Sequence, residues 1–279
     1  MEKLFNPEVN FLFGLFEDDI RLVGGAVRDF LLGKKPKDFD FATSLSPQEV
    51  IKVLQKNKLA YKDYAISYGT VSVLIKRKAY EITTLRTDTQ CFGRQAKVSF
   101  GKSYREDALR RDLTINALYM DRRGAIFDYV GGFEDLQAKK LRFIGKPHER
   151  IQQDYLRILR FFRFWSILPD FSVDAESIEA CCLEKEGLNT LSDERKTMEL
   201  LKILQGDGCV QVLSMMHKMQ ILPLLLPKVD LKNLKSFLAE HPLADVWHRL
   251  AILTPEIPSY LVLSKSQKNK LTLLYKEKK

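Results

Sequence analysis

The chain has 279 residues, of which 45% are hydrophobic and 29% charged, and it carries a formal net charge of +9. This composition indicates a globular protein with room for two or more domains and excludes a low-complexity chain. The basic charge balance is compatible with a nucleic-acid partner but raises that expectation only modestly. The apolar runs are too short to span a bilayer, no signal peptide is visible, and the four cysteines fit no zinc motif. We therefore expect a cytoplasmic location and reduced thiols.

The first 137 residues show a mixed pattern of strands and helices. Gly24 and Gly25 lie between an apolar strand and a helix, and Ser46, Pro47 and Glu49 are typical of a helix start. The predicted strands are 21–24, 39–43, 61–65, 70–75, 79–85 and 126–129, and the predicted helices include 26–32, 47–57 and 110–119. Residues 86–105 have weak periodicity and are predicted to form a long loop.

After about residue 136 the periodicity becomes helical throughout. One strong helix is predicted over 150–165. Further helices are predicted over 175–185, 192–204, 210–219 and 231–239. The change of pattern predicts a domain boundary near 136–145, and the fold class is α+β, with a mixed sheet followed by an all-helical part.

Two carboxylates, Asp38 and Asp40, are separated by one residue within an apolar stretch. On a strand they would point to the same face, about 7 Å apart along the backbone. Hard divalent cations prefer such oxygens, and two metals can stabilise both oxygens of a phosphoryl-type displacement. Glu81, on a neighbouring predicted strand, is a third acid. The alternative is that Asp38 and Asp40 cap a turn after Pro36. Their apolar surroundings make this alternative less favourable, because an acidic face on an apolar strand is costly unless a cation neutralises it.

The glycine pair at the start of the helix 26–32 is a candidate phosphate cradle. Backbone N–H groups of Gly24 and Gly25 and the helix dipole would favour an anion, and Arg28 would add a cation. The alternatives are a simple turn and a surface ion pair between Arg28 and Asp29.

A further polar set comprises Arg111, Asp112 and Asn116. In a helix over 110–119, Asp112 and Asn116 would share a face. Together with Arg111 they could bind a phosphate and sugar hydroxyls. The alternative is the ordinary polar side of an amphipathic helix.

The predicted helix 150–165 carries Arg150, Asp154 and Arg157 on one face, with Arg160 nearby. Asp154 and Arg157 could form a simple salt bridge. They could equally present a donor and acceptor set to the edge of a nucleobase.

These residues together resemble a known family. The segments 22–43, 110–118, 128–136, 150–164 and 191–204 occur in the order, and roughly at the spacing, of class II tRNA nucleotidyltransferases and bacterial poly(A) polymerases. That family belongs to the polymerase-β-like nucleotidyltransferase superfamily, and the resemblance covers about residues 20–225. It implies a nucleotidyltransferase head domain over 1–137, a helical neck over 138–205 and a shortened helical body over 206–279.

The resemblance also implies an activity and its partners. The expected reaction is the addition of C, C and A to a tRNA 3′ end from CTP and ATP, with two Mg²⁺ ions. Asp38 and Asp40 would be catalytic and metal-binding, supported by Glu81. The expected nucleotide-binding residues are Gly24, Gly25, Arg28, Arg111, Asp112, Asn116, Asp154, Arg157 and Arg160. Asp154 and Arg157 would pair with the incoming base, and the 86–105 loop would help to switch from CTP to ATP.

Two departures from the family pattern affect these expectations. Gln153 stands where the family usually has glutamate, so the position keeps hydrogen-bonding groups without a charge. The chain ends at Lys279, where many relatives continue, so we expect an altered grip on the tRNA elbow.

Alternative functions in the same family are poly(A) polymerase and a CC-adding or A-adding enzyme. The absence of a basic insertion in 65–86 counts against poly(A) polymerase. From another class, the chain could be a catalytically inactive tRNA-binding protein. The sequence indicates no membrane association and no obligate protein partner.

Overall fold

The computed structural model describes residues 5–92 and 95–277. It divides into two compact units, Met1–Gly145 and Lys146–Lys279. The first contains a mixed sheet and the second is mainly helical, so the predicted α+β class is confirmed. The finer division into head, neck and body stays a prediction.

A seven-stranded sheet forms the centre of the first unit. Its strands are β1 (Ile20–Val23), β2 (Asp40–Thr43), β3 (Ala60–Lys62), β4 (Thr70–Ile75), β5 (Lys78–Thr84), β8 (Tyr119–Met120) and β9 (Ile126–Phe127). The strands β6 and β7 form a separate hairpin, which is described below. The spatial order is β3-β4-β5-β2-β1-β8-β9. Only β2 and β5 run parallel in this sheet, and its other neighbours are antiparallel.

Five α-helices accompany the sheet in the described part of the first unit: α1 (Pro7–Phe16), α2 (Gly25–Leu31), α3 (Pro47–Lys56), α4 (Tyr104–Leu109) and α5 (Gly132–Gln137). The predicted start of α3 is confirmed, because the Ser46 hydroxyl accepts from the Glu49 N–H while the Glu49 carboxylate accepts from the Ser46 N–H. The core between α1 and β2 includes Phe13 and Phe41, which pack edge to face with ring centroids 5.6 Å apart.

Two predictions for this unit are wrong. The expected loop 86–105 contains the antiparallel hairpin β6 (Arg86–Phe92) and β7 (Gln95–Phe100), followed by α4. The expected helix 110–119 is a turn, a 3-10 helix over Thr114–Asn116 and the strand β8. Tertiary hydrogen bonds hold this segment, since the Ile144 N–H donates to the Asp112 carbonyl and the Thr114 N–H to the Arg142 carbonyl. The short strand β10 (Lys140–Leu141) follows α5.

The second unit contains the helices α6 (Pro147–Gln153), α7 (Leu156–Ile167), α8 (Ala175–Leu183), α9 (Asp193–Gln205), α10 (Cys209–Lys218), α11 (Leu222–Leu225), α12 (Leu231–Glu240), α13 (Val246–Leu253) and α14 (Lys265–Glu277), with the short strand β11 (Ser172–Val173). The prediction of one helix over 150–165 is wrong. The helix is interrupted at Asp154, whose backbone is extended (φ −161°, ψ 106°). Among the residues described, no helix has both the length and the apolar character needed to cross a bilayer.

Candidate active site

The three predicted acids of the first unit meet at the start of β2. Asp40 is the first residue of this strand, and its Cα is paired with that of Glu81 across the parallel neighbour β5. Asp38 lies two residues before Asp40, outside β2, as the predicted strand 39–43 also places it. All three carboxylates are exposed, which leaves them accessible to a ligand.

Asp40 has a perturbed acidity. Protein atoms around the carboxylate displace water, and the neighbouring Glu81 and Asp38 add negative charge, so the pKa of Asp40 rises to about 6 although Arg111 opposes the shift. The side chain keeps an exposed surface despite these neighbours. Asp40 is therefore a carboxylate whose charge would be stabilised by a bound cation.

The donor set fits a divalent cation that shares its ligands with a substrate. Within 5–92 and 95–277, no group of three or more His, Cys, Asp or Glu side chains could hold a metal by itself. Mg²⁺ commonly takes one or two protein carboxylates and completes its shell with water and substrate phosphates. Asp38 and Asp40 provide hard oxygen ligands of this kind, and the like charges around Asp40 favour a cation there.

The turn before α2 requires glycine at its first position. Gly24 has φ 74° and ψ −129°, a conformation that side chains with a Cβ rarely adopt. A Cβ at Gly24 would lie 3.8 Å from Nη1 of Arg111 and 3.5 Å from the Asn116 carbonyl oxygen. The turn, Arg111 and the Asn116 backbone are thus brought together.

Arg28 is buried, and the alternative of a simple surface pair with Asp29 is wrong. Its Nη1 donates to Oδ1 of Asn116 at 2.6 Å, while Nε and Nη2 donate to Oδ1 of Asp29. The exposed fractions of Arg28 and Asn116 are 5% and 6%. In the described structure the buried Nδ2 of Asn116 has no hydrogen-bond acceptor, so this amide keeps an unused donor beside the glycine turn.

Arg111 is held by Asp107, a residue that the sequence analysis did not single out. Asp107 Oδ2 accepts from Arg111 Nη2 at 2.8 Å and from the Tyr119 hydroxyl at 2.7 Å, and Oδ1 accepts from Arg110 Nε at 2.8 Å. Burial alone would raise the pKa of Asp107, but Arg111 and Arg110 lower it to about 2. Asp107 precedes Arg110 by three residues and Arg111 by four, and this spacing was the available signal.

Asp112 and Asn116 do not share a helical face, because residues 110–119 are not a helix. Asp112 Oδ1 accepts from the N–H of the next residue, Leu113, at 2.9 Å. The following Thr114 donates to Asp135 at 2.6 Å, which connects the segment to α5. A ribose-binding function of Asp112 stays a prediction.

In the second unit, Asp154 lies between α6 and α7 and contacts a third helix, α9. Asp154 Oδ2 accepts from Arg195 Nη2 of α9 at 2.7 Å, and Oδ1 accepts from the Leu156 N–H. Asp154 and Arg195 therefore form an ion pair that joins the segment after α6 to α9. Arg195 lies in the segment 191–204 that contributes to the family resemblance, but the sequence did not predict it as a partner of Asp154.

Gln153 organises the neighbouring arginines. Its Oε1 accepts from Arg157 Nη1 at 2.8 Å and from Arg150 Nη1 at 2.9 Å. Arg157 also donates to the Arg150 carbonyl at 2.9 Å. The guanidinium of Arg160 lies 5.6 Å from the centre of the Phe164 ring, so it is further along α7 than this cluster. The amide at position 153 thus fixes Arg157 without contributing charge.

Two segments of the chain match known protein families. Residues 20–142 match the family described as the poly A polymerase head domain, and residues 170–232 match a probable RNA and SrmB-binding site of polymerase A. Over 228 residues the chain is 39% identical to human mitochondrial CCA tRNA nucleotidyltransferase 1, an alignment that covers 80% of the chain and 52% of that protein. The chain is a member of the tRNA nucleotidyltransferase and poly(A) polymerase family. The resemblance predicted from its sequence motifs is confirmed.

Two bacterial relatives support the same family assignment. The chain is 41% identical over 217 residues to the Bacillus subtilis CCA-adding enzyme, covering 76% of the chain and 53% of that enzyme. It superimposes with a TM-score of 0.71 and 35% identity on the crystal structure of the Bacillus stearothermophilus CCA-adding enzyme in complex with CTP, over 79% of this chain and 53% of that one. The chain spans about half the length of the curated tRNA nucleotidyltransferases that it matches.

Proposed function

We propose that this protein adds C, C and A to the 3′ end of tRNA, using CTP and ATP as substrates. The observation that carries the proposal is the pairing of Asp40 with Glu81 across parallel strands. Asp38 lies two residues before Asp40 in the chain. This cluster suits nucleotidyl transfer. The relatives at 39% and 41% identity are named CCA tRNA nucleotidyltransferase 1 and CCA-adding enzyme. The tRNA and nucleotide partners belong to this proposal.

The carboxylates define the proposed chemistry. Asp38 and Asp40 are the residues that would hold Mg²⁺ here, since this cation prefers carboxylate oxygens and completes its shell with substrate phosphates. Bound Mg²⁺ would lower the pKa of the RNA 3′-hydroxyl and neutralise the departing pyrophosphate. Asp40 must be ionised to act as a ligand, which its pKa of about 6 permits at neutral pH.

The other residues of the first unit would hold the triphosphate and ribose. The Gly24 N–H donates to the Leu118 carbonyl at 3.1 Å, so in this turn the N–H of Gly25 would bind a phosphate oxygen, and Arg111 presents a guanidinium beside the turn. The unused Nδ2 of Asn116 is a donor for the same ligand. Arg28 would act through its bond to Asn116. Orientation of the α-phosphate toward the 3′-hydroxyl would account for much of the rate enhancement.

Selection of the base is assigned to the second unit. Asp154 offers an acceptor and Arg157 offers donors, which together can distinguish the edges of nucleobases. Arg195 fixes the first and Gln153 the second. Selection would therefore depend on two fixed side chains.

The test uses three tRNA transcripts that end before CCA, after C and after CC. Each is incubated with the protein, Mg²⁺, and CTP or ATP separately and together. Completion of all three to a single CCA, followed by arrest, is the expected result. Long A tails on unrelated RNA would identify a poly(A) polymerase, partial completion a CC-adding or A-adding enzyme, and binding without incorporation an inactive tRNA-binding protein.

A further inference from the structure

Three basic residues occupy left-handed backbone positions at one end of the sheet in the first unit. They are Lys58 (φ 55°), Lys76 (φ 48°) and Arg77 (φ 67°). Lys76 and Arg77 form the two-residue turn between β4 and β5, since Ile75 is paired with Lys78. Lys58 comes just before β3, whose Ala60 is paired with Leu74 of β4. The three residues therefore lie at the same end of neighbouring strands.

These are unfavourable positions for long side chains. A two-residue hairpin turn with positive φ at both residues favours Asn-Gly, and a helix end such as Lys58 favours Gly or Asn. Lys76 and Arg77 are exposed, so they do not gain core packing in return. Lys76 forms an ion pair with Glu8 at 2.8 Å while its side chain stays 75% exposed, and such a pair contributes little. The sequence keeps cations where other residues would be more stable.

Further cations adjoin this turn. Lys35 and Lys37 are exposed in the segment before β2, and the Lys78 Nζ donates to the Lys37 carbonyl at 2.7 Å, which connects that segment to the hairpin. We define the basic patch by the residues Lys35, Lys37, Lys58, Lys76, Arg77 and Lys78.

The basic patch borders the catalytic carboxylates. Lys37 immediately precedes Asp38 in the chain. On β5, Lys78 precedes Glu81 by three residues, a distance of about 10 Å at the strand rise of ~3.3 Å. Because β2 and β5 run parallel, Asp40, the first residue of β2, lies toward the end of the sheet that carries the patch, although the alternation along β5 places Lys78 and Glu81 on opposite faces.

We propose that the basic patch binds the phosphate backbone of the polynucleotide whose 3′ end is extended at Asp38 and Asp40. This inference rests on the proposed function and adds a surface to it. Lysine and arginine bind backbone phosphates through charge and without reading sequence, which suits an enzyme that accepts many RNAs of one type. The position beside the carboxylates favours RNA over an anionic membrane as the partner.

The test uses the full chain and replaces each of the three basic residues by one that favours a left-handed backbone conformation: Lys58→Gly, Lys76→Asn and Arg77→Gly. Because strain is relieved, the melting temperature of the triple variant should rise by about 2–4 °C. Its Kd for a tRNA transcript lacking CCA should increase about tenfold, and the slope of log affinity against log salt should fall by about 2. The KM for CTP and the kcat at saturating RNA should not change.

A matched control is Lys139→Gly, which relieves a left-handed lysine (φ 50°) at the end of α5, outside the basic patch. It should raise the melting temperature without altering RNA affinity. Two results for the stabilised triple variant would overturn the proposal. One is an unchanged RNA affinity, and the other is a loss of binding to phosphatidylserine vesicles while RNA binding stays intact. Binding is measured separately from incorporation. A wild-type protein that binds RNA through the patch but adds no nucleotide would therefore contradict the proposed function and not this inference.

Discussion

Asp40 and Glu81 are paired across the parallel strands β2 and β5, although they come from different segments of the chain. Their proximity concentrates negative charge at the centre of the sheet, and a divalent cation would neutralise this charge. This relationship connects the fold to the proposed chemistry, because the crossover between the two strands is what brings the carboxylates together.

Glu81→Gln should lower the pKa of Asp40 below its wild-type value of about 6, since Glu81 is the largest charge that raises it. Carboxyl ¹³C NMR titration of metal-free protein measures this directly. Asp38→Asn is the control and should give a smaller decrease, because Asp38 contributes less. A pKa that does not change in Glu81→Gln would contradict the electrostatic account.

The same shift has a consequence for stability. The folded pKa of Asp40 lies above the ordinary value of 3.8, so the folded state binds this proton more readily than the unfolded state. Stability contributed by Asp40 is therefore lost as the pH rises from about 4 through 6. Asp40→Asn should melt at a higher temperature than wild type at pH 8, and the difference should vanish below pH 4. A lower melting temperature at pH 8 would reverse the sign of this account.

Asp107→Asn should release Arg111, because Asp107 is nearly fully buried and accepts from Arg110, Arg111 and Tyr119. Loss of one partner of a buried pair costs about 3 kcal/mol of unfolding free energy. Urea unfolding measures this cost, and steady-state kinetics should show a raised KM for CTP. Glu106→Gln, which alters an exposed carboxylate of the same helix, is the control. Equal stabilities of the two variants would exclude an anchoring function.

Gly132→Ala should destabilise the segment that carries Asp112 and Asn116. A Cβ at Gly132 would lie 2.1 Å from the Thr114 carbonyl oxygen, and relief of such a clash requires backbone movement. The expected loss is about 2–3 kcal/mol in urea unfolding. Gly14→Ala is the matched control, because its Cβ meets nothing within 4 Å on α1 and should stabilise by about 0.5–1 kcal/mol. A neutral Gly132→Ala would contradict the close approach.

Gln153→Met should relax the choice of nucleotide. The substitution removes the oxygen that accepts from Arg150 and Arg157, and hydrogen bonds to charged groups are worth about 1.5–3 kcal/mol. The ratio of kcat/KM for CTP over UTP should fall about tenfold. Gln153→Glu should keep the ratio, and Gln152→Met is the control because Gln152 bonds to Glu184 instead. Unchanged selectivity in Gln153→Met would place base reading elsewhere.

The sequence predicted those parts of the fold that local patterns determine. The cap at Ser46, the glycine turn and the strand that begins at Asp40 follow from residue type and spacing. The helix expected over 110–119 failed because Asp112 and Thr114 form tertiary bonds that override helical propensity. The hairpin in 86–100 was missed because its sequence lacks the alternation that a periodicity argument detects.

The sequence singled out candidate site residues but did not predict the geometry in which the structure places them. The motifs identified Asp38, Asp40 and Glu81, whereas the register that pairs Asp40 with Glu81 depends on a parallel crossover that spacing does not specify. The break at Asp154 was invisible because the apolar periodicity continues across it. Its ion pair with Arg195 joins segments that are distant in sequence.

The most direct test of the proposed function is single-turnover extension of a tRNA transcript lacking CCA, by wild type and by Asp40→Asn. Wild type should add C, C and A and stop. Asp40→Asn should be slower by about a thousandfold, since metal-assisted charge stabilisation supplies several kcal/mol, while its circular dichroism spectrum stays unchanged. Extension by Asp40→Asn within tenfold of the wild-type rate would contradict the assignment of this carboxylate and, with it, the proposed active site.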